Sequence, residues 1–287
     1  MSDCIIIGGG PAGVSAALYL ARAGLKATII ENGPGALAKA HKIDNYYGIA
    51  LPGAELYAQG LAQAEALGVE IVHDEAVGID YFGGFAVQGA KKENLLQAKA
   101  LLLATGVQQA TPKIDGLKEH EGKGVSYCAV CDGFFFRGKR VAVIGSGAYA
   151  AHEAEYLSHL AQETTILTNG EDASVVANSV LKIITTPIAA IAGDERVEKV
   201  VFADGSELEL EGVFVALGTA GTSDIAKKLG LEMNGRFLKT AEDGATAIPG
   251  LYAAGDCTGG LLQVAKAVCD GAKAGTAIVK YLRGEKS

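Results

Sequence analysis

Residues 4–31, CIIIGGGPAGVSAALYLARAGLKATIIE, decide the fold. An apolar run breaks into glycines, and the small and apolar residues from 11 onward suit a helix that ends at Gly24. The run KATIIEN then reads as a second strand. Strand, glycine turn, helix and strand make a βαβ unit, within which Gly8, Gly10 and Gly13 fit G-x-G-x-x-G, with Glu31 closing the second strand about 20 residues on. The first two glycines let the backbone turn tightly and approach a pyrophosphate. The helix start supplies N–H donors, and the Glu31 carboxylate can accept ribose hydroxyls. These conditions met together predict dinucleotide binding.

A weak internal repeat of this unit begins at Val141–Ile144, read as a strand. Gly145, Gly147 and Ala150 form G-x-G-x-x-A, residues 148–160 have helical composition, and TTILT at 164–168 is a strand. Between the repeats lie strand-rich stretches at 69–72, 76–89 and 99–104 and a helical segment near 53–67. After the second repeat, VEKVVFADGSELEL predicts a β-hairpin, because Asp204-Gly205 supplies the positive φ of a tight turn. The chain returns to strand at LYAAGD and closes on a helix from about 261 to 282.

The 287 residues and their 49% hydrophobic content suffice to fill two cores. With 25 Lys+Arg against 33 Asp+Glu the formal charge is −8, which argues against nucleic acid or an anionic membrane as partner. The start MSDCIIIGGG lacks a basic leader, and no apolar stretch approaches the length of a membrane span, so a cytoplasmic protein is expected. The five cysteines are too few and too unevenly spaced for a secreted disulfide framework, and one close pair exists, Cys128 and Cys131. Two thiols at C-x-x-C can close a small ring, and a thiolate at a helix start is competent for disulfide exchange, with Asp132 placed to carry protons. Half of a zinc site is the competing reading. No second C-x-x-C exists, and the five histidines (41, 73, 120, 152, 159) show no ligand spacing. Cys4 and Cys269 are read as inert buried thiols and Cys257 as a small packing residue.

The sequence resembles the low-molecular-weight thioredoxin reductase family over essentially its whole length. The resemblance rests on GGGPAG (8–13), ATG (104–106), CAVCDGFFF (128–136), VFVALG (213–218) and YAAGD (252–256). It implies an α/β protein of the pyridine nucleotide-disulfide oxidoreductase class with two Rossmann-like three-layer domains. Residues 1–112 and 243–287 would form an FAD domain, and 113–242 a smaller inserted domain of nicotinamide type that carries the cysteines. It further implies FAD contacts at Gly8, Gly10, Pro11, Ala12, Gly13 and Glu31. Asn45 of DNYYG and Gln263 would lie near the isoalloxazine, Ala104 and Gly106 on the adenine side, and Asp256 at the ribityl or phosphate region. Leu262 departs from the family, which carries Arg before that Gln. By the same resemblance Cys131 faces the flavin, Cys128 attacks the disulfide of thioredoxin, Asp132 is the acid/base, and the protein is a homodimer.

The electron donor is where this chain differs. In NADPH-using members the second strand of the inserted unit ends in a His-Arg-Arg cluster with another Arg soon after, since a 2′-phosphate demands guanidinium groups. Here Thr168, Asn169 and Gly170 stand in that place, followed by Glu171 and Asp172. Tyr149 replaces the family's Ser or Thr and would crowd the helix start. A few members with FAD and C-x-x-C but without nicotinamide determinants take electrons from reduced ferredoxin, and this sequence is closest to those flavin-dependent ferredoxin-thioredoxin reductases. Candidate docking cations are Lys39, His41 and Lys42, or Arg137, Lys139 and Arg140. Alternatives are NADPH or NADH at a degenerate site, and a flavoprotein that binds a partner according to redox state without turnover.

Overall fold

The computed structural model describes residues 1–91, 93–106, 113–127, 129–177, 179–217 and 222–285. They form two compact units, Met1–Gln108 with Gly221–Ser287, and Gln109–Ala220. Among the described residues there are six α-helices: α1 Pro11–Arg22, α2 Gly53–Ala66, α3 Ala129–Asp132, α4 Ala148–Ser158, α5 Thr222–Leu229 and α6 Val264–Arg283.

The first unit is built on a five-stranded parallel sheet in the order Leu251–Ala253, Ala100–Leu103, Cys4–Ile7, Ala27–Glu31, Glu70–His73. Every residue of the strands Cys4–Ile7, Ala27–Glu31 and Ala100–Leu103 is buried, as expected where both faces of a parallel sheet are covered. Side chains alternate between the faces. Cys4, Ile6, Ile29 and Leu102 pack against α1 and α6, while Ile5, Ile7, Leu101 and Leu103 pack against Phe85 and Val87 of an antiparallel meander, Ala76–Tyr81, Phe85–Gly89 and Leu95–Ala98.

On the meander side the core also takes in Ile225 and Ala226 of α5, with Leu231 and Leu238. Residues 222–242 therefore pack with the first unit. The stretch TSDIAKKL has three apolar residues, Ile225, Ala226 and Leu229, in a polar helix, a pattern that does not say which sheet they cover.

The second unit repeats the arrangement. Its parallel sheet runs Val125–Ser126, Gly212–Val215, Arg140–Ile144, Glu163–Leu167, Lys182–Ile184, and α4 connects the third of these strands to the fourth. The expected hairpin is present as Lys199–Phe202 and Glu207–Glu209, with Gly205 at φ +84°.

Helix α6 rests on α1 through backbone approach. A Cβ on Gly271 would lie 2.1 Å from the Ala12 carbonyl oxygen, and one on Gly275 would lie 2.8 Å from that of Ala16. Neither atom belongs to a flexible side chain that can give way. Gly271→Val is therefore expected to lower stability by about 3 kcal/mol. Gly60→Ala in α2, where the nearest atom would be a Val14 methyl at 3.6 Å, should stabilise by up to ~1 kcal/mol. Urea unfolding midpoints of the two variants check both signs.

Candidate active site

The turn leaving the strand Cys4–Ile7 contains three glycines that are close-packed and one that is not. A Cβ on Gly8, at φ +110°, would lie 2.3 Å from the Ala104 carbonyl oxygen, and one on Gly13 would lie 2.0 Å from the Gly8 carbonyl oxygen. Around Gly10 nothing lies within 4 Å of the Cβ position. Gly10 is the N-cap of α1, Pro11 opens the helix, and no side chain caps it or places an acid in its first turn. The leading N–H groups of such a helix have no internal acceptor and favour an anion. Gly9 carries the turn past Glu31, whose Cβ is 3.0 Å from the Gly9 Cβ position.

Glu31 is buried, and its carboxylate accepts the Gly33 N–H at 2.7 Å as well as hydrogen bonds from the Tyr57 hydroxyl and from His73 Nδ1. Sequence reasoning missed Tyr57 and His73. The signal for His73 is strand register, since it stands opposite Glu31 on the neighbouring strand. The His73 side chain is 71% exposed, so a ribose hydroxyl can reach the carboxylate by replacing it.

Two further expected residues, far apart in sequence, meet: Asn45 Nδ2 donates to Gln263 Oε1 at 2.9 Å. Gly255 precedes Asp256 at φ +84°, and its Cβ position is 2.8 Å from the Ala12 Cβ, which sets the Asp256 turn beside the start of α1. Burial raises the Asp256 pKa, opposed by Lys266 and reinforced by Asp270. Lys266 and Asp270, absent from the sequence reading, fasten this turn. Lys266 Nζ lies 2.6 Å from Asp270 Oδ2 and donates to the Gly255 carbonyl at 2.8 Å and to Thr258 Oγ1 at 2.9 Å. Ala104 is buried at the end of its strand, Gly106 takes φ +69°, and Leu262 is exposed. An open cradle at Gly10, a carboxylate at the second strand end and a fastened acid turn fit a flavin dinucleotide.

In the second unit Cys128 lies outside the described residues, and Cys131 is described only as part of the backbone of α3. Asp132 accepts a hydrogen bond from Ser126 Oγ at 2.6 Å. The N–H of Ala129 donates to Oε2 of Glu153, a residue of α4, at 2.8 Å. Phe134 and Phe135 are exposed just beyond, with the Arg137 guanidinium 5.3 Å from the Phe134 ring centroid. Lys139 Nζ stands 5.3 Å from the ring centroid of Phe136. Arg140 is paired with Glu209 and Glu211, and Lys42 with Asp44. His41 is exposed, and of Lys39 only the backbone is described.

The glycine turn of the second repeat keeps its geometry. A Cβ on Gly145 would lie 2.1 Å from the Ala216 carbonyl oxygen, and Gly147 caps α4. The strand that follows ends differently from an anion site. Thr168 is buried and Asn169 takes φ +54°, a conformation Asn tolerates. The Asn169 side-chain oxygen accepts the Ile188 N–H at 2.7 Å, and the Glu171 N–H donates to the Thr168 carbonyl at 3.1 Å. Hydrogen bonds from the Ser174 hydroxyl and N–H hold the Asp172 pKa below its usual value. From 141 to 181 the sequence contains no Lys or Arg. Tyr149 is wholly buried, so the case against a 2′-phosphate rests on charge and not on bulk.

Residues 2–271 match the family model of the pyridine nucleotide-disulphide oxidoreductases. The chain belongs to that family. Within it the likeness is to low-molecular-weight thioredoxin reductases. The thioredoxin reductase of Aquifex aeolicus (strain VF5) is 33% identical over 309 residues, covering 99% of this chain and 94% of that protein. The crystal structure of the atypical thioredoxin reductase TRi from Desulfovibrio vulgaris Hildenborough shares 40% identity at a TM-score of 0.93, with 99% of each chain covered. A ferredoxin-flavin thioredoxin reductase from Clostridium acetobutylicum shares 31% identity at a TM-score of 0.78, again over 99% of both chains.

A thioredoxin reductase-like flavoprotein needs one exchange-active pair, and the structure accounts for the other thiols. Burial pushes Cys4 far up, and pushes Cys257 up to about 12, where its Sγ faces the Ala254 carbonyl at 3.2 Å. Cys269, expected to be buried, is exposed. Helix α6 turns Ala267, Gly271 and Ala274 inward, which places position 269 on the opposite face.

Iodoacetamide at pH 8 should therefore label Cys269 in the native protein and leave Cys4 and Cys257 unlabelled until unfolding, as read by peptide mass spectrometry. Gly10→Val has room in the fold but fills the cradle. It should fold with a near-unchanged melting temperature while FAD affinity falls about 100-fold, some 2.7 kcal/mol, measured by flavin fluorescence on titration.

Proposed function

We propose that the protein is a flavin-dependent thioredoxin reductase that takes single electrons from reduced ferredoxin and delivers pairs through Cys128 and Cys131 to the disulfide of thioredoxin. The observation that carries the choice of donor is the second repeat, where Glu171 and Asp172 follow the strand and 41 consecutive positions, 141–181, lack Lys and Arg. A doubly charged phosphomonoester has no cation there to offset its desolvation and meets two carboxylates instead. One of the similar structures, named for ferredoxin and flavin, supports this reading. The resemblance extends to a homodimer, which belongs to the same proposal.

The first unit is the FAD domain. Gly8, Gly10, Pro11, Ala12 and Gly13 would hold the pyrophosphate at the start of α1, Glu31 the ribose, and Ala104 and Gly106 the adenine side. Asp256 would meet the ribityl or phosphate region, with Asn45 and Gln263 beside the isoalloxazine. Bound there, FAD supplies the conversion between single electrons and an electron pair.

The dithiol then works by exchange. The Cys128 thiolate attacks one sulfur of the substrate disulfide, a mixed disulfide forms, and one substrate thiolate leaves. The Cys131 thiolate next attacks the Cys128 sulfur, closing the Cys128–Cys131 disulfide and releasing the second substrate thiolate. Two protons pass from the cysteines to the product thiols, with Asp132, oriented by Ser126, placed to relay them. The exposed Phe134 and Phe135 offer apolar area to a protein substrate, and Arg137 and Lys139 offer charge to an acidic one.

Anaerobic mixing tests the donor. Chemically reduced ferredoxin should bleach the flavin within seconds, while NADPH and NADH at millimolar concentration leave it oxidised. Rapid bleaching by either pyridine nucleotide would overturn the assignment of donor. Cys128→Ser should retain bound FAD and lose thioredoxin reduction to background.

A further inference from the structure

The first turn of α6 brings a cation to the edge of the proposed flavin site. The Lys266 side chain passes Gly260, whose Cβ position lies 3.7 Å from Lys266 Cε, and its ammonium donates to the Gly255 carbonyl at 2.8 Å and to Thr258 Oγ1 at 2.9 Å. Asp270, one turn further along α6, closes the cluster: its Oδ2 lies 2.6 Å from the ammonium and accepts the Gly255 N–H at 3.2 Å. The two side chains are mostly covered, at 20% and 25% exposure. The Cβ position of Gly255 lies 2.8 Å from the Ala12 Cβ, so the ammonium is anchored to the residue that touches the opening turn of α1. Asp256 follows directly and responds to the same charges: burial pushes its carboxyl up, Lys266 pulls it down and Asp270 pushes it up again. A dinucleotide arriving here brings a negative charge on each of two phosphates, and a helix start offers only about half a unit of positive charge to meet them.

We propose that Lys266 is a positioning residue for the flavin dinucleotide, one whose ammonium offsets the Asp256 and Asp270 carboxylates so that the two phosphates can settle at the start of α1. This rests on the reading of the first unit as the FAD site. Lys266 acts on the turn in two ways. Its hydrogen bonds to Gly255 and Thr258 brace the backbone. Its charge takes the cluster of Lys266, Asp256 and Asp270 from −2 for the carboxylates alone to −1. A neutral donor could brace the turn, but only a cation lowers the repulsion that the carboxylates exert on a phosphate. No bond is made or broken and no proton moves; the effect lies in the free energy of the bound state.

The test uses the full-length protein, stripped of flavin and retitrated with FAD while flavin fluorescence is followed, for wild type, K266M, D270N and the double variant K266M/D270N. K266M leaves the two carboxylates without their cation, and FAD affinity should fall about tenfold. D270N keeps an oxygen for the Gly255 N–H but removes one negative charge, and should bind FAD about threefold more tightly than wild type. The double variant has the net charge of the wild-type cluster and neither half of its ion pair. Where charge governs, it regains at least half of the loss in K266M on a logarithmic scale. Where Lys266 only braces the turn, the double variant stays as weak as K266M or weaker, and a recovery of less than half would overturn the proposal. K266M within about twofold of wild type would overturn it as well. Should K266M not fold, D270N decides alone, and an affinity no higher than wild type is then the overturning result. The readout is cofactor binding, so it is independent of the electron donor and of thioredoxin. The FAD site itself fails by a different result, a folded wild-type protein that takes up no FAD.

Discussion

Where the turn Gly8–Gly13 leaves the strand Cys4–Ile7, backbone meets backbone at distances that no side chain would permit. The Gly8 position presses on the Ala104 carbonyl, Gly13 on the Gly8 carbonyl, and from above Gly271 of α6 presses on the Ala12 carbonyl. These approaches bring the strand Ala100–Leu103, the first helix and the last helix onto one point, although they come from distant parts of the chain. The rest of the first unit follows from it. Because α6 can lie this close, Gly255 sits against Ala12 and the Asp256 turn is delivered to the same place as the helix start. The one glycine of the turn that meets nothing, Gly10, is left facing the space so enclosed. If the proposed FAD site is right, packing and cofactor recognition meet at this turn, and what each glycine's missing Cβ would touch separates the two roles.

The second unit carries the same kind of turn beside a strand end of different charge. Gly145 still presses on the Ala216 carbonyl and on Ala150, so the strand-to-helix turn closes as tightly as in the first unit. The strand that follows does not end in cationic groups. Asn169 spends its side-chain oxygen on the Ile188 N–H, Asp172 caps a local turn through Ser174, and the nearest Lys or Arg in sequence are Arg140 and Lys182. Charge at a strand end is cheap to alter because the side chains there are solvated, whereas a glycine under a carbonyl is not.

That difference also explains how much of the molecule was legible in its sequence. The glycine spacing, the periodic apolar strands and the DG hairpin are local signals tied to backbone conformation, and the two sheets and both βαβ units follow from them. The residues that sequence reasoning missed act across space. His73 reaches Glu31 through strand register, Lys266 reaches the Asp256 turn from one helical turn into α6, and Glu153 reaches Ala129 from a different element. Each looked like an ordinary surface or helix residue in a linear reading. The packing of residues 222–242 was hidden for a related reason: Ile225 and Ala226 declare that they are buried but not against which sheet. Cys269 went astray because the inward face of α6 is defined by glycine and alanine, whose low hydrophobicity hides the helix's phase.

The retention of the second glycine motif therefore carries less functional weight than its appearance suggests. A G-x-G-x-x-A turn is usually taken as a sign of nucleotide binding, yet at Gly145 the absence of a side chain is already required by the Ala216 carbonyl 2.1 Å from where a Cβ would stand. Loss of coenzyme binding would leave that requirement untouched, because removing it would push the strand Gly212–Val215 away from Arg140–Ile144 and open the core that supports α4. Helix α4 in turn carries Glu153, which accepts the Ala129 N–H, and Leu157 and Tyr156, which lie against Gly133. On the proposed reading, a unit that binds no coenzyme would still have to keep this turn to hold its fold, so the glycine motif by itself does not show nucleotide binding.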